Sequence, residues 1–307
     1  MQTLILDSSQ ISQWSECSTE WSQRGLIQIN KKDPTETFRP SDALAAGSLG
    51  HKYLEIYYTE LAMSGDVTAA ARKTLAFDPD EADKVEKQFP LDIALRAKVK
   101  QRVVDYFMMY GPGRDYKPAF KKKASVEIHK DGLPYDILVK DPLVEKGFSH
   151  KLFENKQYLF VLEGRIDFIG EAQDGTLLWM DHKFQFREHE LYAKSIQFRN
   201  YSLATGLNLA VINYIRLHDK IQPKTFVRQP LSFSSLEMRH WKEELIDIYM
   251  QIAKQVVAGN YPKNRNSCSG AWGKPCQYVS LCEEYNLEIR AAIQKRDFTQ
   301  RKEWRPW

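Results

Sequence analysis

Two runs rich in apolar residues, from Gln157 to Gly170 and from Thr176 to Lys183, flank the dipeptide Asp174-Gly175. A turn of that composition between two such runs predicts a β-hairpin. Pairing the strands symmetrically about Asp174 sets Asp167 opposite Asp181. Because side chains alternate along a strand, Lys183 then shares the face of Asp181, and His182 points the other way.

Two carboxylates and an ammonium gathered on one sheet face make poor packing, since buried charges are costly unless paired or bound to a metal. A hard divalent cation relieves the repulsion. Mg2+ takes oxygen ligands and keeps water, so Asp167 and Asp181 could hold it while Lys183 orients or deprotonates an attacking water. The plainer alternative is a surface salt-bridge patch, and an isolated Asp-x-Lys does not decide between them.

Periodicity predicts a helix from about Ser9 to Gln23, with Ile11, Trp14 and Cys17 at helical spacing. A second runs to about Met63 behind a Ser41-Asp42 cap and holds Gly47, Gly50 and His51. Residues 65–111 are helical in pattern and read as an insert. Beyond the hairpin come a helix from about Glu188 to Thr205, strands near Leu209–Leu217 and Thr225–Phe233, and a helix from Ser235 to Ala258. No internal repeat or low-complexity segment interrupts this order.

The chain's 307 residues are enough for a full core, and 43% hydrophobic with 27% charged residues is ordinary for a folded soluble protein. A net charge of +4 is a small difference between 44 basic and 40 acidic residues and diagnoses no partner. Basic residues cluster at Arg114, Lys117 and Lys121 to Lys123, and again from Lys295 to Arg305 among Phe298, Trp304 and Trp307. Solvated surface is the plain reading of both clusters. There is no apolar stretch long enough for a membrane span, and MQTLILDSSQ lacks the basic start and apolar core of a signal peptide. The expectation is a cytoplasmic protein without a membrane partner. In that compartment the four cysteines point to ligands or buried thiols rather than disulfides.

Five short motifs then occur in order. The run Ala45-Ala46-Gly47-Ser48-Leu49-Gly50-His51-Lys52-Tyr53-Leu54-Glu55 is a small-residue helix presenting a histidine. Val144-Glu145 precedes Phe148, and Gly164-Arg165-Ile166-Asp167, Asp181-His182-Lys183 and Gln197-Phe198-Arg199-Asn200-Tyr201 follow. Together they resemble the RecB-like branch of the PD-(D/E)XK nuclease superfamily. The resemblance implies His51, Asp167, Asp181 and the His182 carbonyl as metal ligands and Lys183 as the catalytic lysine. It also implies active-site roles for Glu145, Gln197 and Tyr201. Glu127 competes with Glu145 for the acidic motif, and His51 and Tyr201 could instead be packed core residues. Gly47 and Gly50 allow the close backbone approach such a helix needs. Gln197 and Tyr201, four residues apart, share a helix face.

The cysteines are Cys17, Cys268, Cys276 and Cys282. Asn266-Ser267-Cys268 through Pro275-Cys276 to Cys282 resembles the C-terminal cluster module of AddB and CRISPR-associated RecB-like nucleases. The stretch from Ser8 through Trp14 and Cys17 to Trp21 resembles the helix supplying their remote cysteine. A 4Fe-4S cluster takes four thiolates, which matches the count. Seven residues separate Cys268 from Cys276, a wider gap than in the better-known members. Zinc is the chemical rival, although it usually draws on local C-x-x-C pairs, which this chain lacks.

The fold class implied is α/β, with a restriction-endonuclease-like core in which helices flank a central mixed β-sheet. A single nuclease domain would span residues 1–307, with a helical insert at 64–124. A cysteine module and basic aromatic tail at 260–307 would join the N-terminal segment at the iron-sulfur cluster. The function implied is a Mg2+- or Mn2+-dependent deoxyribonuclease, an exonuclease acting at DNA ends in recombination, repair or DNA processing. DNA is the expected partner, with recombination or replication proteins beside it. The alternative is a catalytically silent nuclease-like protein that binds DNA ends or acts as a scaffold, with an iron-sulfur or zinc site.

Overall fold

The computed structural model describes residues 1–26, 29–31, 42–79, 91–110, 117–118, 129–130, 133–134, 143–172, 174–186, 195–268 and 276–300. The basic cluster at 114–123, Glu127, Ser41, Trp304 and Trp307 lie outside what is described of side chains. The described residues fall into two compact units, one of Arg39–His150 with Gly164–Arg239, the other of Met1–Phe38 with Lys151–Glu163 and His240–Pro306.

The principal elements in chain order are β1 (Gln2–Leu6), α1 (Ser8–Glu16), α2 (Ser18–Trp21), α3 (Asp42–Ser64), α4 (Val67–Ala76) and α5 (Ile93–Met109). They continue with β2 (Val144–Glu154), β3 (Tyr158–Glu171), β4 (Leu177–Gln185), α6 (Ile196–Thr205), β5 (Leu209–Arg216) and β6 (Phe226–Ser232). Last come α7 (Ser235–Ala258), α8 (Val279–Glu283) and α9 (Leu287–Asp297). Among the described residues no helix is long and apolar enough to cross a membrane.

In the first unit the hairpin forms with the register that symmetry about Asp174 dictates, running from Phe168 opposite Met180 to Glu171 opposite Leu177. Gly175 takes a left-handed φ of 85°, and Thr176 N–H donates to Asp174 Oδ1 at 2.9 Å, so the two turn residues play distinct parts. β4 pairs in parallel with β5, and β5 pairs antiparallel with β6, which makes the sheet mixed. The parallel step from β4 to β5 needs a crossover. α6 supplies it, capped by Ser195 at its start and ended by Gly206 in the left-handed region. Its inner face is held by Trp179, whose Nε1–H donates to Ser202 Oγ at 2.9 Å and whose ring meets Phe198 and Tyr201.

α3 buries Ala45, Ala46, Leu49, Gly50, Tyr53, Leu54, Tyr57 and Tyr58, adjacent pairs that recur every turn and form one continuous stripe. That stripe shares a core with Phe168, Met180 and Phe184 of the hairpin and with Val99, Val103, Tyr106 and Phe107 of α5.

In the second unit β1 pairs in parallel with the first half of β3, Gln2 opposite Tyr158 through Leu6 opposite Leu162. The expected helix from Ser9 to Gln23 is broken. Cys17 is buried with an extended backbone (φ −159°, ψ 106°), and α1 ends and α2 begins on either side of it. Its N–H still closes α1 on Gln13 O at 2.9 Å and its carbonyl accepts from Trp21 N–H at 3.0 Å, so the break leaves neither backbone group unsatisfied. Phe298, from the aromatic tail, is buried and stacks on Tyr278 at 5.6 Å instead of lying on a solvated surface.

Candidate active site

Two glycines let the site assemble. A Cβ on Gly50 would stand 2.5 Å from the Phe184 ring, so only glycine lets α3 approach β4 and carry His51 to the sheet. A Cβ on Gly164 would meet the Phe148 ring at 2.6 Å, which ties the glycine of Gly-x-x-Asp to the aromatic residue that follows Glu145. Around Gly47 no described residue lies within 4 Å, so of the two helix glycines expected to permit the approach, Gly50 is the one that does so among the described residues.

His51 Nδ1 lies 3.3 Å from Glu145 Oε1 and 3.4 Å from Asp167 Oδ2. One donor atom from each of these three side chains falls within 4.8 Å of the others, a spacing suited to one cation. Asp181 is not a member of this trio. Its Oδ2 lies 2.8 Å from Lys183 Nζ, and its Oδ1 accepts from Gln197 Nε2 at 3.3 Å. Gln197 also donates to the Tyr201 hydroxyl at 2.6 Å, so the i, i+4 pair on α6 reaches the carboxylate as one unit. The hairpin ladder ends at Phe168 opposite Met180, one residue short of Asp167 and Asp181, and beyond it His182 N–H donates to Asp167 Oδ2 at 2.7 Å.

Electrostatically the trio is poised for a cation. Burial works against a charge on His51, yet Asp167, Glu145 and Asp181 outweigh it and lift its pKa to about 9. Burial, reinforced by Asp167 and only partly offset by Lys183, raises Asp181 to about 6. Asp167 is raised as well, again through burial. The cluster therefore holds protons that a divalent cation would displace. Glu145 is also the only described non-glycine residue with positive φ, 49°. Such a conformation is strained, and it persists where surrounding contacts fix it. Here those contacts are His51 on one oxygen and Arg165 Nε at 2.8 Å from the other.

The model of the PD-(D/E)XK nuclease superfamily matches residues 8–283. The chain belongs to that superfamily. Its mixed sheet flanked by helices is consistent with the restriction-endonuclease-like fold, and membership implies a metal-dependent nuclease acting on DNA. No curated protein shows significant similarity to the chain. A solved structure described as "Crystal structure of SSO0001" is 11% identical with a TM-score of 0.31, over 81% of this chain and 89% of that one. That likeness is too slight to bear on fold or function.

Around the PD-(D/E)XK motifs, sequence reasoning gave no role to the imidazole ring of His182 or to the side chains of Tyr58, Asn213 and Arg165. His182 stacks on Tyr58 at 5.7 Å and 9°, with Nδ1 2.8 Å from the Asn213 amide nitrogen, and burial holds its pKa well below the ordinary histidine value. Asn213 also donates to the Tyr106 hydroxyl at 3.2 Å. A lone amide within the apolar strand Leu209–Arg216 was the available signal for it. Arg165 carried no signal except its place inside Gly164-Arg165-Ile166-Asp167.

The cysteines form a separate site, wholly within the second unit. Cys17, Cys268, Cys276 and Cys282 all line one cavity of about 240 Å3, together with Glu20, Lys263 and Tyr285. None of the four is joined in a disulfide. Burial, with Glu20 beside it, pushes Cys276 up to about 12, and burial raises Cys282 too. The N-terminal arm is tied to the C-terminal segment by Ser18 Oγ on Pro262 O (2.9 Å), Thr19 Oγ1 on Tyr261 O (2.6 Å) and Ser267 Oγ on Glu16 O (3.0 Å). Between Cys268 and Cys276, residues 269–275 lie outside the described chain, although Cys276 N–H donates to Cys268 O at 2.9 Å.

Proposed function

We propose that this chain is a Mg2+- or Mn2+-dependent deoxyribonuclease that digests DNA from its ends, with a structural iron-sulfur cluster. The observation that carries the reading is the convergence of His51, Glu145 and Asp167 donor atoms within 4.8 Å, beside a Lys183–Asp181 pair. A histidine nitrogen and two carboxylates fit a divalent cation of the Mn2+ or Mg2+ class.

His51, Glu145 and Asp167 would hold the cation, and Asp181 and the His182 carbonyl would complete its surroundings. The cation supplies Lewis acidity toward the phosphate and the attacking water. Lys183 favours the ionised form of Asp181 against burial and offers an ammonium where the water is oriented. Gln197 and Tyr201 fix the other oxygen of Asp181, so the carboxylate cannot rotate. Tyr201 remains a neutral hydrogen-bonding phenol, because burial and then Asp181 and Asp167 raise its pKa well above the ordinary value.

Four thiols on one small cavity, without a local C-x-x-C pair, support Cys17, Cys268, Cys276 and Cys282 as ligands of a 4Fe-4S cluster. The cluster would act as a cross-link between the ends of the chain and take no part in hydrolysis. Incubation with linear and covalently closed DNA, single- and double-stranded, tests the mode of attack. Loss of linear DNA alone is expected, and equal cutting of closed circles would replace the exonuclease reading with an endonuclease.

A further inference from the structure

Resting on the nuclease reading, we infer that Arg165 is the residue that binds the negatively charged phosphodiester of the nucleic-acid strand in this site. Arg165 lines a cleft of about 600 Å3 together with Gly47, Ser48, His51, Glu145 and Lys183. It sits two residues before Asp167 on β3, so the two share a strand face.

Its side chain is 47% exposed, and its ion pair to Glu145 is made through Nε. A guanidinium carries five N–H donors, and those on the two terminal nitrogens match two phosphate oxygens in a bidentate pair. Holding Glu145 in this way uses Nε alone, so the ion pair accounts for only one of the five donors.

Charge balance points the same way. With a divalent cation bound and His51 neutral as its ligand, the carboxylates of Glu145, Asp167 and Asp181 are balanced by the cation and Lys183. The cleft's other lysine, Lys52, is paired with Glu55 at 2.9 Å. Among the described residues Arg165 then gives the cleft one net positive charge, and one phosphodiester carries one negative charge. Without Arg165 the bound strand would leave an uncompensated negative charge inside the cleft. Gly47, on the wall of the same cleft, presents no side chain to obstruct the strand.

The test is binding of a short labelled single-stranded DNA by the full-length protein in Ca2+, across a range of salt, for wild type, Arg165→Gln and Arg165→Lys. Cleavage and the Mn2+ concentration for half-maximal activity are measured in parallel. Arg165→Gln is expected to weaken binding about tenfold at low salt, the worth of one charge-assisted contact. Its log K against log salt should be shallower by about 0.7, the slope lost with one single-strand phosphate contact. Arg165→Lys should keep the slope and lose part of the affinity, because it retains the charge without the fork. Wild-type affinity and slope in Arg165→Gln would overturn the assignment. A shift confined to the Mn2+ requirement would overturn it too, leaving Arg165 only as the support of Glu145. A wild type that shows the Arg165-dependent slope yet never cuts would keep the contact and sink the nuclease reading instead.

Discussion

Gly50 lies so close to Phe184 that a Cβ on the glycine would stand 2.5 Å from three carbons of the ring. Phe184 is buried and cannot swing into solvent without opening the core. Gly50→Ala should therefore destabilise the protein by about 1–3 kcal/mol, the usual cost of overpacking. Gly47→Ala, with no described residue within 4 Å, should be neutral or gain up to about 1 kcal/mol from helix propensity. Denaturant melts of both variants check the contrast. Pairing Gly50→Ala with Phe184→Leu should restore part of the loss, whereas additive losses would place the strain elsewhere.

Why Gly50 and not Gly47 could not be read from the sequence is a matter of rotation. Both glycines sit in one small-residue helix, and only the sheet that packs against it decides which faces an aromatic ring. The hairpin register was legible because alternation and a two-residue turn leave little freedom once Asp174-Gly175 is fixed. Helix α7 was legible from end to end for a similar reason, since its pattern is long and uninterrupted. The break at Cys17 was not, because Ile11, Trp14 and Cys17 keep helical spacing up to the very residue at which the backbone turns extended. The strand Gln2–Leu6 is too short to show a period, and its pairing with β3 is a contact across more than 150 residues. Within the site, motif order placed His51, Asp167, Asp181 and Lys183 near one another, but Glu145 as a direct neighbour of His51 emerges only from three-dimensional packing.

Proton linkage gives the metal-free protein an unusual pH profile. The folded pKa of His51 is raised from 6.5 to about 9, so its contribution is present below pH 6.5 and is lost as pH rises through 9. Asp181 is raised to about 6, which favours the folded state while it is protonated and withdraws that stability between pH 4 and 6. Melting temperature in EDTA should accordingly fall as pH rises from about 5 to 9. Mn2+ should stabilise increasingly over the same interval, since it displaces those protons. An EDTA profile flat from pH 5 to 9 would remove the carboxylate–histidine cluster as the cause.

If the four thiols hold a cluster, Cys17→Ala should lose iron and stability together. The clip closes about 250 residues between Cys17 and Cys268, and the chain-entropy treatment of a cross-link that long sets an upper bound of about 5 kcal/mol. A loss of even about 2 kcal/mol would be large beside typical domain stabilities of about 5–15 kcal/mol. Protein purified without oxygen should be brown, with equal iron and sulfide. Colourless protein with stoichiometric zinc would replace the cluster, and an unchanged melting temperature in Cys17→Ala would remove the clip.

Metal choice reports on His51. An imidazole ligand favours a softer cation, so Mn2+ should support cleavage at least as well as Mg2+, and Ca2+ should bind without turnover. In His51→Ala the Mn2+ concentration needed for half-maximal rate should rise about tenfold or more, and the melting temperature in EDTA below pH 9 should fall, because the histidinium paired with Glu145 and Asp167 is lost. Activity with Mg2+ and none with Mn2+ would take His51 away from the cation.

The central claim is that Asp181 and Lys183 act on a phosphodiester. Cleavage of end-labelled linear DNA with Mn2+ or Mg2+ by wild type, Asp181→Ala and Lys183→Ala tests it most directly, with circular dichroism and DNA binding measured on the same preparations. Each substitution should lower the rate by about a hundredfold to a thousandfold, the usual cost of losing a single electrostatic group at a reacting centre. Fold and non-specific DNA binding should survive, because distributed phosphate contacts supply that affinity. Cleavage at wild-type rates in both folded variants would contradict the account.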